Sequence, residues 1–193
     1  MRKSLLLMTL FMLVSCTNAQ DLKPIKLNAP DLSRGEKVMK ALFNRKSTRE
    51  YSDKKLTLQD LSDLLWAANG INRPKEGKRT APSAYNKQDI KVYVCMAEGN
   101  YLYNAASLTL TPVSKGDVRP MKAPVCLVLV SDTDQSWGVI DAGIVSQNIS
   151  LFCSGVGLAT VPRIDMDKDK LKRTLRLSGK QTLILNHPVG YFK

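Results

Sequence analysis

A chain of 193 residues that is 44% apolar and 24% charged has the composition of one soluble globular domain, which excludes a disordered, collagenous or polytopic membrane chain. Its 29 Lys and Arg against 17 Asp and Glu give a formal net charge of +12, so a negatively charged partner is implied. Four cysteines are too few for a disulfide scaffold, and their spacing is that of neither a metal site nor a CxxC redox motif.

At the start of the chain Arg2 and Lys3 precede the apolar run 5–14, and small residues follow it. The run is shorter than the roughly 20 residues a spanning helix needs, so residues 1–19 read as a signal peptide. Within them Leu13-Val14-Ser15-Cys16 resembles a lipobox, which implies cleavage before Cys16 and acylation of that cysteine. Cleavage after Ala19, giving a soluble exported protein, is the rival. The expected location is therefore the periplasm or a membrane surface reached through a lipid anchor at Cys16. Loss of residues 1–15 removes only the cations Arg2 and Lys3 and lowers the net charge from +12 to +10. The basic residues are scattered and fit no nucleic-acid-binding pattern, so a phosphorylated cofactor or an anionic membrane face is the expected partner, not nucleic acid.

Residues 20–34 carry Pro24 and Pro30 with little periodicity and read as a tether, leaving 35–193 as the domain. Over 36–43 the pairs Val38/Met39 and Leu42/Phe43 stand four apart, a short amphipathic helix with Ser33 as N-cap. A basic turn follows at 45–49. Thr57 and Asp60 resemble a capping box ahead of Leu58, Leu61, Leu65 and Ala68, a second helix that Asn69-Gly70 ends. Residues 72–89 show no apolar period and read as a long loop of the kind a compact domain keeps for function.

Ile90, Val92, Val94 and Met96 alternate as a strand, with 101–104 a short partner, and the apolar run 125–130 reads as a central strand buried on both faces. Cys95 and Cys126 fall within these strands and, with Cys153, read as core residues. Trp137, Ile140, Ile144 and Leu151 space as one face of a long helix that Gly155 and Gly157 close. Leu171 and Leu175 mark a charged helix beginning near Asp167, and 182–186 with 189–191 form the last strand. Helices and strands mixed in this order favour an α+β fold.

The chemistry-bearing residues are few. His187 stands alone and reads as a satisfied polar residue of the last strand, no GxSxG elbow supplies a nucleophile, and HExxH, GxGxxG and GxxxxGK[ST] are absent. A chain without its own acid, base or nucleophile set points to a borrowed cofactor.

The string Arg45-Lys46-Ser47-Thr48-Arg49-Glu50-Tyr51 resembles the opening motif of the nitroreductase family of flavin enzymes. Segments 64–70, 81–88, 141–148, 157–162 and 188–191 resemble the same family in the same order. The chain is most similar to the compact branch related to the dehydrogenase domains of thiazole- and oxazole-forming enzymes. That resemblance implies a mixed sheet flanked by helices and a homodimer holding FMN at its interface. Arg45, Ser47 and Arg49 would clamp phosphate and ribityl, with Lys46 at the same turn. Pro82, Ser83 and Asn86 would reach the flavin from the other subunit. Backbone amides after Pro162, at Arg163, Ile164 and Asp165, would face the ring, and Lys193 would stand in for the terminal basic pair of longer members.

The activity implied is ping-pong transfer of hydride from NAD(P)H, or another donor, to a nitroaromatic, quinone or similar small acceptor. Two rival readings are a non-catalytic flavin-binding or sensing lipoprotein, and a basic surface protein that binds anionic polymer or membrane.

Overall fold

The computed structural model describes residues 22–193; the leader and the lipobox at Cys16 lie outside the described residues. The fold is α+β, as the element order implies. Among the described residues nine strands, β1 (Ile25–Lys26), β2 (Ile71–Arg73), β3 (Lys78–Arg79), β4 (Ile90–Cys95), β5 (Gly99–Asn104), β6 (Thr109–Lys115), β7 (Val125–Ser131), β8 (Leu158–Thr160) and β9 (Thr182–Tyr191), accompany four α-helices. The helices are α1 (Val38–Asn44), α2 (Leu58–Asn69), α3 (Ser136–Val156) and α4 (Lys168–Thr174). Seven of the strands form one sheet in the order β1-β6-β5-β4-β7-β9-β8, and every ladder in it is antiparallel, where a mixed sheet was expected.

β7 is buried along its whole length because it lies between β4 and β9 with a layer on each face. Val125, Leu127 and Leu129 pack into the core that includes α2 and α3, while Cys126, Val128 and Val130 pack with Leu171 and Leu175 at α4. Each such Val or Leu contributes about 1.5–3 kcal/mol on burial. The expected capping box is present in part: Thr57 accepts the Asp60 amide at 3.1 Å, while its hydroxyl donates to the Asp60 carboxylate at 2.6 Å. Cys95, Cys126 and Cys153 are buried free thiols, as their strand and helix positions suggested.

Three expectations are corrected, and one strand is added. Residues 25–34 are not a free tether: Ile25 pairs with Leu110, Leu27 is buried, and Arg34 bridges Asp60 and Asp63 at 2.5 and 2.8 Å. Ser33 is not an N-cap, because its hydroxyl donates to Asp31 and α1 starts after Lys37 without a side-chain cap. Residues 72–89 hold the hairpin β2–β3 and a 3-10 turn at Ala84–Asn86 in place of one irregular loop. The added strand is β6, which contains Pro112 and pairs with β5 across a register shift.

The apolar stripe of α1 points the opposite way from the expected one, and that of α3 is split, with Ile144 partly buried against the core and Ile140 turned outward. Only Ala41 of α1 is buried, whereas Val38, Met39 and Phe43 are 67, 77 and 88% exposed. On α3 the residues that face the core are Ala142, Val145, Ile149 and Cys153, and Ile140 is 65% exposed. Spacing fixes the period of a helix face but not which of two apolar faces turns inward.

Candidate functional site

The basic turn 45–49 is held in place by its neutral members. The Thr48 amide donates to Thr160 O at the end of β8 (2.9 Å), the Tyr51 hydroxyl donates to Thr48 O (2.6 Å), and the Ser52 amide donates to Tyr191 O of β9 (2.9 Å). Burial pushes the Tyr51 phenol up to about 12, so it stays a donor at neutral pH. This leaves the charged side chains free. Arg45, Lys46 and Arg49 are exposed, and among the described residues the side chains of Arg45, Ser47 and Arg49 make no hydrogen bond or ion pair. Lys46 lies over the Phe192 ring, 5.5 Å from its centroid. A cleft of about 260 Å³ opens beside the turn, lined by Lys46, Ser150, Ser154, Thr160 and Phe192.

Because β8 ends at Thr160, the docked turn also lies next to the segment after Pro162. Here the structure narrows the expectation. The Arg163 amide is already spent on Asn186 O (2.9 Å), and Asn186 donates its own amide to Arg163 O (2.7 Å), so Arg163 has no backbone donor to offer. Asn186 Nδ2 also donates to the carbonyls of Arg163 and Asp165, which fixes the path of the segment. The amides of Ile164 and Asp165 have no partner among the described residues. Arg163 ion-pairs with Asp165 at 2.5 Å. Lys193 stands on the other side of Tyr51, beside Glu50, Asp53 and Lys122, and not in the cleft by Lys46.

The loop with Pro82, Ser83 and Asn86 is held in a costly conformation. Tyr85, Asn86 and Gln88 have φ of 51, 53 and 50°, left-handed backbone adopted by non-glycine residues, which costs of order 1–3 kcal/mol each. Three contacts offset that cost. Ala84 N donates to both Asp141 oxygens at 3.1 and 2.9 Å, Gln88 N donates to Ser83 Oγ at 2.8 Å, and Arg79 Nε donates to Gln88 Oε1 at 2.9 Å. Pro82, Tyr85 and Asn86 remain exposed, and the Tyr85 ring meets Trp137 edge-on at 6.0 Å.

Asp141 is the residue that sequence reasoning passed over. It is 2% exposed in the second turn of an apolar helix, and a lone acid at such a position was the available signal. Burial raises its carboxyl above the ordinary range against the pull of the Ala84 amide, and the neighbouring Asp89 adds to the rise. Asp141→Ala is expected to cost about 1–3 kcal/mol and to free the loop. The urea midpoint and hydrogen exchange at Ala84 N read the two effects separately.

Asp141 also locates the loop relative to the turn. α1, which leads into the turn, is bonded to the far end of α3, where Ser154 Oγ donates to Ala41 O at 2.7 Å. From Asp141 to Ser154 the helix rises about 20 Å. Within one chain the structure therefore unites the turn with the segment after Pro162, but holds Pro82, Ser83 and Asn86 apart from both. His187 sits behind the turn, fully buried in β9, with Nε2 2.8 Å from Ser146 Oγ and Nδ1 3.2 Å from Thr160 Oγ1.

Comparison with known proteins identifies the fold and the family. A crystal structure of a candidate nitroreductase from Ralstonia eutropha JMP134 superposes with a TM-score of 0.83 at 33% identity, over 88% of this chain and 90% of that one. A candidate nitroreductase of Methanocaldococcus jannaschii is 26% identical over 194 residues, covering 86% of this chain and 96% of its own. A chain of the Escherichia coli microcin synthetase complex shares the fold at a TM-score of 0.66 and 17% identity, over 97% of this chain and 85% of that one. Residues 42–191, from the last turn of α1 to the end of β9, match the nitroreductase family, and the chain belongs to that family.

Proposed function

We propose that this family member is an FMN-dependent oxidoreductase that works as a homodimer, with each flavin site built from two chains. The observation that carries the reading is the division of the site along α3: unspent donors gather at one end and a strained, exposed polar loop is fixed at the other. A two-fold axis that brings one end against the other would assemble the set without distorting either chain. The outward-facing Val38, Met39 and Phe43 of α1 and Val139 and Ile140 of α3 give such a dimer its apolar contact.

The donors fit a flavin mononucleotide. Arg45 and Arg49 offer guanidinium forks to a phosphate and Ser47 a hydroxyl, in charge-assisted geometry. The Ile164 and Asp165 amides are the two left to stabilise charge on the ring, with Asn86 of the second chain on its polar edge and Pro82 and Ser83 packed beside it. When bound, FMN would supply the two-electron relay between NAD(P)H and a quinone, nitroaromatic or similar acceptor. The chain itself contributes binding and orientation, because its one histidine is sealed behind the turn and its three core thiols are buried. Export and anchoring through Cys16 complete the reading.

The test is the visible spectrum of the purified protein with FMN, followed by anaerobic NADPH. Flavin bands that sharpen on binding and bleach on reduction support the reading. Bound bands that persist with both NADH and NADPH favour a flavin binder, and failure to bind FMN refutes it.

A further inference from the structure

Away from the turn, at the other side of the hairpin β2–β3, Arg79 stands half-buried against the start of β4 and the end of β5. Its guanidinium has five N–H donors, and only two are used, one on Gln88 Oε1 and one on Asn69 O at 2.8 Å. Among the described residues no carboxylate pairs with it; burial without a counter-charge lowers its pKa from the ordinary value. Tyr103 shares the cavity. It is 8% exposed, its hydroxyl has no hydrogen-bond partner, and burial pushes it up to about 12, so it is a proton donor at neutral pH. A buried donor left unmade costs roughly 1–3 kcal/mol, and an uncompensated, partly desolvated cation adds to that cost.

These groups border a cavity of about 290 Å³ whose remaining wall includes Ile90, Val92 and Leu102. Lys91 at the rim is neutralised by Asp132 at 3.1 Å, so Arg79 is the unbalanced charge. A free guanidinium edge and a phenol suit a planar oxyanion, and the wall, where Ile90, Val92 and Leu102 alternate with Asn69, Asn104 and Thr111, leaves an aliphatic part for a small apolar body attached to it. We propose that this cavity is a second binding site, distinct from the flavin site, for a small organic carboxylate, held by the unspent edge of Arg79 and the hydroxyl of Tyr103.

The test is titration of the full protein with sodium benzoate, read by methyl shifts of Ile90, Val92 and Leu102, with inorganic phosphate as the second arm. Saturable benzoate binding at these methyls is expected, with phosphate weaker. Tyr103→Phe, which removes one hydroxyl and keeps the ring, should weaken benzoate about two- to tenfold, and Arg79→Gln should weaken it at least tenfold. No saturable shift, equal affinity in the Tyr103→Phe variant, or phosphate binding as tightly as benzoate would each overturn the assignment. FMN affinity is measured in Tyr103→Phe, which leaves the Arg79–Gln88 bond of the flavin loop intact; because the proposal is independent of the flavin reading, its unchanged value there separates failure of this site from failure of the other.

Discussion

Replacing Arg45 and Arg49 together by alanine is expected to weaken FMN binding at least a hundredfold while leaving the urea midpoint almost unchanged. Each arginine is exposed and makes no ion pair among the described residues, so the folded chain does not depend on either. The turn is instead held by Thr48, Tyr51 and Ser52, which the substitutions leave alone. A charge-assisted bond to phosphate is worth about tenfold or more in affinity, and two acting on one phosphate compound. Thr48→Pro makes the converse change. It removes the amide that docks the turn on Thr160, so stability and flavin binding should fall together. Fluorescence titration with FMN and urea unfolding on the same samples distinguish the two cases.

The second large effect is acid sensitivity governed by His187. Burial drives its pKa from 6.5 down to about 3, because its partners are the hydroxyls of Ser146 and Thr160 and not a carboxylate. Thr160 Oγ1 donates to Pro188 O at 2.9 Å and so is left to accept from the ring, which assigns the proton to Nδ1 and makes Nε2 the acceptor from Ser146. The unfolded chain binds a proton near pH 6.5 that the folded chain refuses until about pH 3. This contribution is therefore fully present above 6.5 and is lost as pH falls. The loss comes to about 2 kcal/mol between pH 6.5 and 4.5, before most carboxylates titrate. The raised Asp141 works with the opposite sign, its contribution being lost as pH rises through its folded value. The diagnostic quantity is thus the difference between the parent and His187→Gln, which can keep both hydroxyl contacts without titrating. A urea midpoint that falls with pH in the parent and stays flatter in His187→Gln is expected; parallel curves would show that the ring charges without cost.

The sheet centre and α2 were legible in the sequence because their signals are local. A continuous apolar run at 125–130 can be satisfied only by burial on both faces, and Thr57 with Asp60 marks a helix start by its own hydrogen bonds. The orientation of α1 and α3 was not legible, since both carry apolar residues on more than one face and only tertiary packing decides which is covered. β6 was hidden by Pro112, and the short β1 by the prolines on either side of it. At the site, the turn and the 82–86 loop could be named from residue types, but three things could not. The left-handed backbone at Tyr85, Asn86 and Gln88 carries no glycine to announce it. The loss of the Arg163 amide depends on Asn186, a partner distant in sequence. The separation of turn from loop along α3 exists only once Ala41 and Ala84 are anchored to opposite ends of that helix.

That separation leads to the most direct test, co-expression of the Arg45→Ala/Arg49→Ala chain with the Asn86→Ala chain. If each flavin site takes its phosphate turn from one subunit and its polar loop from the other, half of the randomly assembled dimers carry one intact site. About a quarter of all sites should then bind FMN at a concentration where neither parent variant does. Flavin content no greater than that of the parent variants, or a parent protein that is monomeric by light scattering with FMN bound, would contradict a site built from two chains.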